Sequence, residues 1–246
     1  METTKNNIPA GWVKAINSFN TYMTQDLLGG RKILKTSWAI NTHKILTPIV
    51  VLALMLTYRN FSIPAWLYLA LHGSYSVCWL IKHMAFRDPR WETRVTLGGA
   101  VFTFLFLAMY WFAPFLLISG LLYSEPRVLP TWLLAVSIAL VVIGTTIMMT
   151  SDCQKMFALR YRPGLITDGL FTRIRHPNYL GEMMVYSGFA LVVGLVLPWL
   201  ILAYVWICIF HVNMYMIESS ISRYPEWPGY KARTGMLLPR FFGRSG

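Results

Sequence analysis

Two long uncharged stretches constrain how this chain can fold. Residues 95–124 and 183–217 contain no Asp, Glu, Lys or Arg, and each is longer than the roughly 20 apolar residues with which a helix crosses a bilayer. Each stretch therefore needs a bend or a second pass, and helix-breaking residues stand inside both. Ala113-Pro114 interrupts the first stretch, and the segment from Gly194 to Pro198 interrupts the second. The pattern predicts membrane-spanning helices.

The composition of the chain agrees with a membrane protein. Hydrophobic residues make up 56% and charged residues only 13%, against about 45–50% and about 25% in soluble domains. The hydrophobic pattern predicts an all-α, polytopic integral membrane bundle of about six to seven transmembrane helices. Six predicted crossings cover residues 45–58, 63–81, 95–118, 131–150, 183–197 and 199–217.

The first predicted crossing is short. Lys44 and Arg59 flank it, and their side chains are expected to snorkel to the membrane interfaces. The alternative for this segment is a buried amphipathic hairpin. Residues 1–42 precede it as an N-terminal interfacial segment, whose mixed helical pattern fits a helix that lies on the membrane surface or packs on the bundle.

The positive charges fall on one side of these crossings. Of the 22 basic residues, 20 lie in the N-terminal segment, the 82–94 loop, the 151–182 loop and the C-terminal tail, whereas only Arg59 and Arg127 lie on the other side. Because short cytoplasmic loops collect Lys and Arg, the pattern predicts that both termini are cytoplasmic. The same rule accounts for the net charge of +12, so no nucleic-acid partner is expected. The cysteines have no metal-ligand spacing, and neither a metal nor a disulfide is expected.

The 151–182 loop is unusually polar for a connection between two spans. Asp152 and Lys155 share a helical face, either as a surface ion pair or with Asp152 accepting ribose or amide hydrogens and Lys155 facing phosphate. Guanidinium groups bind phosphate oxygens in a bidentate manner, although topology alone also explains basic residues here. The arginines of this loop are Arg160, Arg162, Arg173 and Arg175.

Further polar residues lie at or inside the predicted spans. His176 precedes a proline, so Asn178 falls near the first turn of a helix whose N–H groups would favour an anion. Glu182 and Glu218 lie at the membrane boundary, where a carboxylate either ends the span or has a function. In the second span, Tyr75 is either an interhelical hydrogen-bonding group or a proton donor to a bound substrate.

Four motifs in the C-terminal half occur in the order typical of a known family. They are SD-x-QK at 151–155, LITDGLF at 165–171, RHPNYLGE at 175–182 and YPEWPGYKARTGMLLPRFF at 224–242. Over residues 144–242 the chain resembles the membrane reductases that include steroid 5-alpha-reductases, their bacterial relatives and the sterol C14 and C7 reductases. The RHPNYxGE motif alone is shared with isoprenylcysteine and phospholipid methyltransferases, whereas SD-x-QK favours the reductases.

The resemblance implies an NADPH site at the cytoplasmic ends of the last spans. The predicted spans make the chain one membrane domain, 1–246, with the first four spans in 43–150 and the cofactor-binding half in 151–246. LHGSY at 71–75 is similar in position to the family's LHYFHR, but Tyr75 is displaced and Ser76 replaces the arginine. The cofactor contacts that the resemblance implies are Asp152, Arg162, Asn178, Tyr179 and Glu182, with Arg173 and Arg175 on phosphates and Tyr230, Lys231 and Arg233 closing over the nucleotide. Lys155 and His176 are further predicted cofactor contacts.

The expected activity is NADPH-dependent reduction of a carbon–carbon double bond conjugated to a ketone. The substrate would be a 3-oxo-4-ene steroid or another lipidic molecule that enters from the bilayer, and Tyr75 or a water held by Glu218 would stabilise the enolate. The expected location is a bacterial inner membrane, with lipids as partners.

Two alternatives to the reductase stay open. One is an S-adenosylmethionine-dependent methyltransferase of a lipid or thiol, with His176, Asn178 and Glu218 around the cofactor. The other is a structural or lipid-binding membrane protein. S-adenosylmethionine carries no phosphate, so the surplus of arginines favours the reductase.

Overall fold

The computed structural model describes residues 9–240, which are mostly helical. A short antiparallel ribbon pairs β1 (Leu34–Lys35) with β2 (Arg94–Val95). The helices of the described residues are α1 Gly11–Thr21, α2 Thr36–Thr57, α3 Ile63–Ala85, α4 Leu97–Ala108, α5 Phe112–Ser119, α6 Thr131–Tyr161, α7 Pro177–Val193, α8 Val196–Val205, α9 Val212–Ile221 and α10 Trp227–Arg233.

In both uncharged stretches the regular α-helix is interrupted close to the helix-breaking residues. In the first, a 3₁₀ turn at Met109–Trp111 joins α4 to α5, so the chain bends just before Pro114 and continues. In the second, Gly194 ends α7 with φ of 71°, a left-handed conformation that favours glycine. The helix that follows begins at Val196 and passes through a π-helical turn at Trp206–His211 into α9. One stretch thus forms a single bent helix and the other forms two helices.

Four helical segments of the described residues are long and apolar enough to cross a membrane. They are Thr36–Thr57, Leu97–Ser119, Thr131–Tyr161 and Val196–Ile221. These segments support the assignment of the chain to integral membrane proteins. Two more predicted crossings correspond to α3, which carries polar side chains along its middle, and to α7, which has 17 residues. The count of six crossings, and the cytoplasmic placement of the termini, stay predictions.

The N-terminal boundary differs from the sequence-based expectation. The second helix begins at Thr36 rather than near Ile45, so Lys44 lies inside it and is only 2% exposed. The expectation that Lys44 snorkels to an interface is wrong, because its ammonium group points into the bundle and donates to the Tyr186 hydroxyl at 3.4 Å. A polar helical start, residues 36–44, is thus part of the bundle and not of the interfacial segment.

The first helix packs on the bundle. Trp12 makes an edge contact with Tyr215 of α9, and the Asn20 side-chain amide donates to the Cys208 carbonyl at 3.0 Å. This favours the bundle-packed form of the N-terminal segment among its described residues. Residues 1–8 of that segment and the closing Phe241 and Phe242 of the last motif lie outside the described residues.

A close helix contact joins α6 to α7 through glycines. A Cβ atom on Gly181 would lie 2.5 Å from the Gly144 carbonyl oxygen, and one on Gly144 would lie 2.6 Å from the Gly181 oxygen. About two helical turns further along α7, Gly188 approaches Val141 and Ser137 of α6 in the same way. Small residues at such contacts let two membrane helices approach closely and gain van der Waals packing.

We expect Gly181→Ala to destabilise the protein by about 1–3 kcal/mol, because the new methyl group must push the two helices apart. Thermal unfolding of the detergent-purified protein would measure the change. Gly229→Ala in α10 is the control, since its Cβ would meet nothing within 4 Å. An unfolding midpoint for Gly181→Ala equal to that of the control would contradict the packing described here.

Candidate functional site

The polar residues gather at one end of the bundle. The helices α3 and α6 end there, α7 begins there, and α9 ends there, so residues 86–94, 162–176 and 222–240 lie together. We call this end the loop face. Side-chain contacts join its parts, because Lys82 pairs with Asp152, Arg175 pairs with Glu218, and Tyr230 bonds to Phe171.

A buried ion pair ties α9 to the start of α7. The Nε of Arg175 lies 2.6 Å from Oε1 of Glu218, and both side chains are about 95% buried. Nη1 of Arg175 donates to the Thr234 carbonyl at 2.6 Å. His176 Nε2 lies 3.5 Å and Lys231 Nζ lies 3.9 Å from the same carboxylate group. Burial lowers the pKa of His176, although Glu218 acts to raise it. One carboxylate is thus surrounded by three basic side chains.

The C-terminal tail binds the 162–176 loop. Ile174 forms a parallel bridge with Gly235, and the buried Tyr230 hydroxyl donates to the Phe171 carbonyl at 2.8 Å. Burial raises the pKa of Tyr230 to about 12. The guanidinium group of Arg233 lies 5.5 Å from the centre of the Tyr230 ring. The predicted contacts Arg175, Tyr230 and Arg233 therefore all interact with the protein itself.

A second buried ion pair joins α3 to α6. Lys82 Nζ lies 2.6 Å from Oδ2 of Asp152, and the two side chains are 6% and 14% exposed. The same ammonium group lies 4.0 Å from the centre of the Trp79 ring. The helical spacing points to Lys155 as the neighbour of Asp152, but the charge that contacts Asp152 comes from α3. The sequence pattern does not single out Lys82, because the two partners are 70 residues apart.

The 86–94 loop adds charges beside this pair. Nη2 of Arg90 lies 2.7 Å from Oδ2 of Asp88. Burial acts to raise the pKa of Asp88, but its hydrogen bonds to Arg90 lower it below the usual value. Arg90 also interacts with Asp152 and Tyr179, and Asp88 interacts with Lys155. We call these residues and their neighbours the polar mouth: Lys82, Asp88, Arg90, Asp152, Lys155, Tyr179 and Glu182.

Ionisable side chains continue from the polar mouth into the bundle. Glu182, which is half-buried on α7, interacts electrostatically with Lys82 and with Lys44. The Lys44 ammonium lies 4.4 Å from the centre of the Tyr75 ring and donates to Tyr186. Lys44 thereby links two predicted site residues, Glu182 of α7 and Tyr75 of α3. The sequence pattern instead places Lys44 at the end of a helix.

An apolar cavity lies beyond Tyr186. Its empty volume is about 300 Å³, including its open mouth. Side chains of α3, α7 and α8 and of the α4–α5 bend form its walls. The lining residues are Tyr68, His72, Met109, Tyr110, Ala113, Tyr186, Phe189, Ala190, Pro198, Ile201 and Leu202.

The two predicted catalytic residues lie apart. Tyr75 belongs to the main core, behind Tyr186, and is not a lining residue of the cavity. Glu218 lies at the loop face and belongs to the Arg175 ion pair. Within residues 9–240 no hydrogen bond or ion pair joins them.

The other predicted cofactor contacts are more accessible. Arg162 is exposed and pairs with Asp168 at 2.7 Å, Arg173 is exposed, and Asn178 is half-buried in the first turn of α7.

Comparison with known proteins identifies a family. A family model described as "Protein of unknown function (DUF1295)" matches residues 25–234, so the chain belongs to this family. No curated protein and no solved structure matches the chain.

Arg175→Ala should destabilise the protein by about 3–5 kcal/mol, because it leaves the Glu218 carboxylate buried without its closest partner. The matched control is Arg162→Ala, which breaks an exposed pair worth about 0–1 kcal/mol. Chemical or thermal unfolding of both variants in the same detergent would compare them. Equal stabilities would show that the Arg175–Glu218 contact does not hold the loop face together.

Proposed function

We propose that this protein is a membrane reductase that uses NADPH to reduce a carbon–carbon double bond conjugated to a ketone in a hydrophobic substrate. One observation carries the proposal. Ionisable side chains form a path from the polar mouth to Lys44 and Tyr186 in the middle of an apolar bundle, and the path ends at an aromatic-walled cavity. Such a path suits a polar cofactor that meets an apolar substrate.

The polar mouth and the adjoining 162–176 loop together have the chemistry that an NADPH molecule requires. Exposed basic groups suit its three phosphoryl groups, and Arg90, Arg162 and Arg173 are accessible for this purpose. Carboxylates suit ribose hydroxyl and carboxamide N–H groups, and Asp152 and Glu182 supply them. When bound, NADPH supplies the hydride. Arg175 and Tyr230 act in this proposal by holding the loop and tail in place around the site.

The cavity suits the substrate. Its walls are aromatic and aliphatic, and the surrounding helices carry exposed apolar side chains such as Leu105, Ile143 and Leu200 on their outer surfaces. A lipidic molecule can therefore reach the bundle through the bilayer. The aromatic and aliphatic side chains around the cavity exclude water. The family's relationship to steroid 5-alpha-reductase-like proteins supports the same substrate chemistry.

The rival methyltransferase predicts a different cofactor. S-adenosylmethionine has no phosphate group, so it would leave the accessible side chains of Arg90, Arg162 and Arg173 without a phosphate ligand. It would also need no proton at the substrate oxygen, and the chain of ionisable residues toward Lys44 would then have no role. These two features favour the reductase.

Binding of NADPH, NADH and S-adenosylmethionine to the detergent-purified protein tests the proposal. We expect NADPH to bind most tightly, because the other two lack the 2'-phosphate. Lys155→Met and Asp152→Asn should each weaken NADPH binding about tenfold, the effect of one hydrogen bond to a charged group.

The control for these variants is Lys32→Met, which removes a lysine paired with Asp26 at the surface. Its affinity for NADPH should equal that of the wild type. Tight binding of S-adenosylmethionine together with no binding of NADPH would refute the reductase.

A further inference from the structure

The segment LITDGLF at 165–171 is held against the end of α6 by the side chain of Gln154. Nε2 of Gln154 donates to the backbone carbonyl of Asp168 at 2.9 Å and lies 3.4 Å from its Oδ1. Oε1 of the same amide accepts from the backbone N–H of Leu170 at 3.1 Å. One side-chain amide therefore binds the backbone on both sides of Gly169.

Gly169 allows this close contact. Its φ of 56° lies in the left-handed region that favours glycine, and a Cβ atom on it would lie 2.5 Å from Nε2 of Gln154. Two residues further on, the Phe171 carbonyl accepts from the Tyr230 hydroxyl of the C-terminal tail. The turn is thus held by α6 on one side and by the tail on the other.

Asp168 extends this order to Arg162. Its Oδ2 lies 2.7 Å from Nη2 of Arg162, and the two side chains are 56% and 75% exposed. The hydrogen bond from Arg162 lowers the pKa of Asp168, so the carboxylate is charged at neutral pH. An exposed pair of this kind contributes little to stability. Its physical effect is to give a long, flexible guanidinium side chain one preferred direction.

Arg162 keeps donors for a ligand in this arrangement. A guanidinium group has five N–H donors, and among the described residues the side chain of Arg162 bonds to Asp168 through Nη2 alone. A ligand that displaced Asp168 would release its carboxylate into water, whereas displacing Glu218 from Arg175 would leave a buried charge. Ordering a side chain in advance also lowers the entropy that is lost on binding.

We propose that Gln154 and Asp168 are positioning residues, which hold the Arg162 guanidinium group in place to bind a phosphoryl group of NADPH. Gln154 fixes the backbone of Asp168, Asp168 directs Arg162, and Arg162 contacts the phosphate. The inference rests on the proposed function and deepens it. It also gives a physical reason for the joint presence of two motifs, because Gln154 belongs to SD-x-QK and Gly169 belongs to LITDGLF.

A double-mutant cycle on NADPH affinity tests this order of contacts. Arg162→Ala should weaken binding about tenfold, the effect of one hydrogen bond to a charged group. Gln154→Leu keeps the size of the side chain but removes its hydrogen bonds, and it should weaken binding about fivefold in the wild type. In the Arg162→Ala background the same change should cost less than about twofold, because the group that it positions is already absent. Asp168→Ala should behave as Gln154→Leu does in both backgrounds.

Gln25→Leu is the matched control, since Gln25 is the other glutamine of the chain and lies in the π-helical turn Tyr22–Asp26. Its NADPH affinity should equal that of the wild type.

Three results would overturn the positioning roles in a protein that binds NADPH. They are an unchanged affinity in Gln154→Leu, an equal loss in both backgrounds, and tighter binding in Asp168→Ala. If Gln154→Leu does not fold, Asp168→Ala decides alone, because its exposed side chain leaves no cavity. A wild-type protein that binds no NADPH would refute the reductase and the positioning roles together.

Discussion

Charges inside an apolar bundle need partners because little water is present to solvate them, and this constraint arranges the loop face. Arg175 with Glu218 and Lys82 with Asp152 join helices that are distant in sequence. Removing one partner of such a pair leaves an uncompensated charge, which is far more costly than losing an exposed pair. The first pair therefore fixes the start of α7 against the end of α9, and the second fixes the end of α3 against α6.

The contact between α6 and α7 gives this arrangement a rigid support. Gly144 and Gly181 allow the two backbones to touch, so α7 cannot rotate without a clash. Its residues on the opposite side then have defined directions: His176 and Tyr179 toward the loop face, and Tyr186 toward Lys44 and the cavity. The candidate site residues from His176 to Tyr186 extend along half of α7, so their positions depend on the contact that holds α7 against α6.

Much of the fold follows from the sequence, whereas the pairing of charges does not. Uncharged stretches predict the helices, and Gly194 predicts the break between α7 and α8, because these signals are local. Lys44 looks like a helix end, since a lysine next to an apolar stretch usually marks the membrane boundary. Only the packing of α2 against α3 and α7 shows that it is buried. Likewise, Arg175 fits both phosphate binding and an internal ion pair, and the choice depends on Glu218, which is 43 residues away.

The basic residues therefore fall into two groups with different capacities. Arg175 and Lys82 already neutralise buried carboxylates, and giving either to a phosphate would leave that carboxylate unpaired. Phosphate binding is consequently better served by accessible side chains such as Arg173. Lys44 belongs to neither group, because it is buried and has no carboxylate within 4 Å among the described residues. Its burial is costly without a paired carboxylate, so the rings of Tyr75 and Tyr186 and the hydroxyl of Tyr186 supply the contacts that hold its charge inside the bundle.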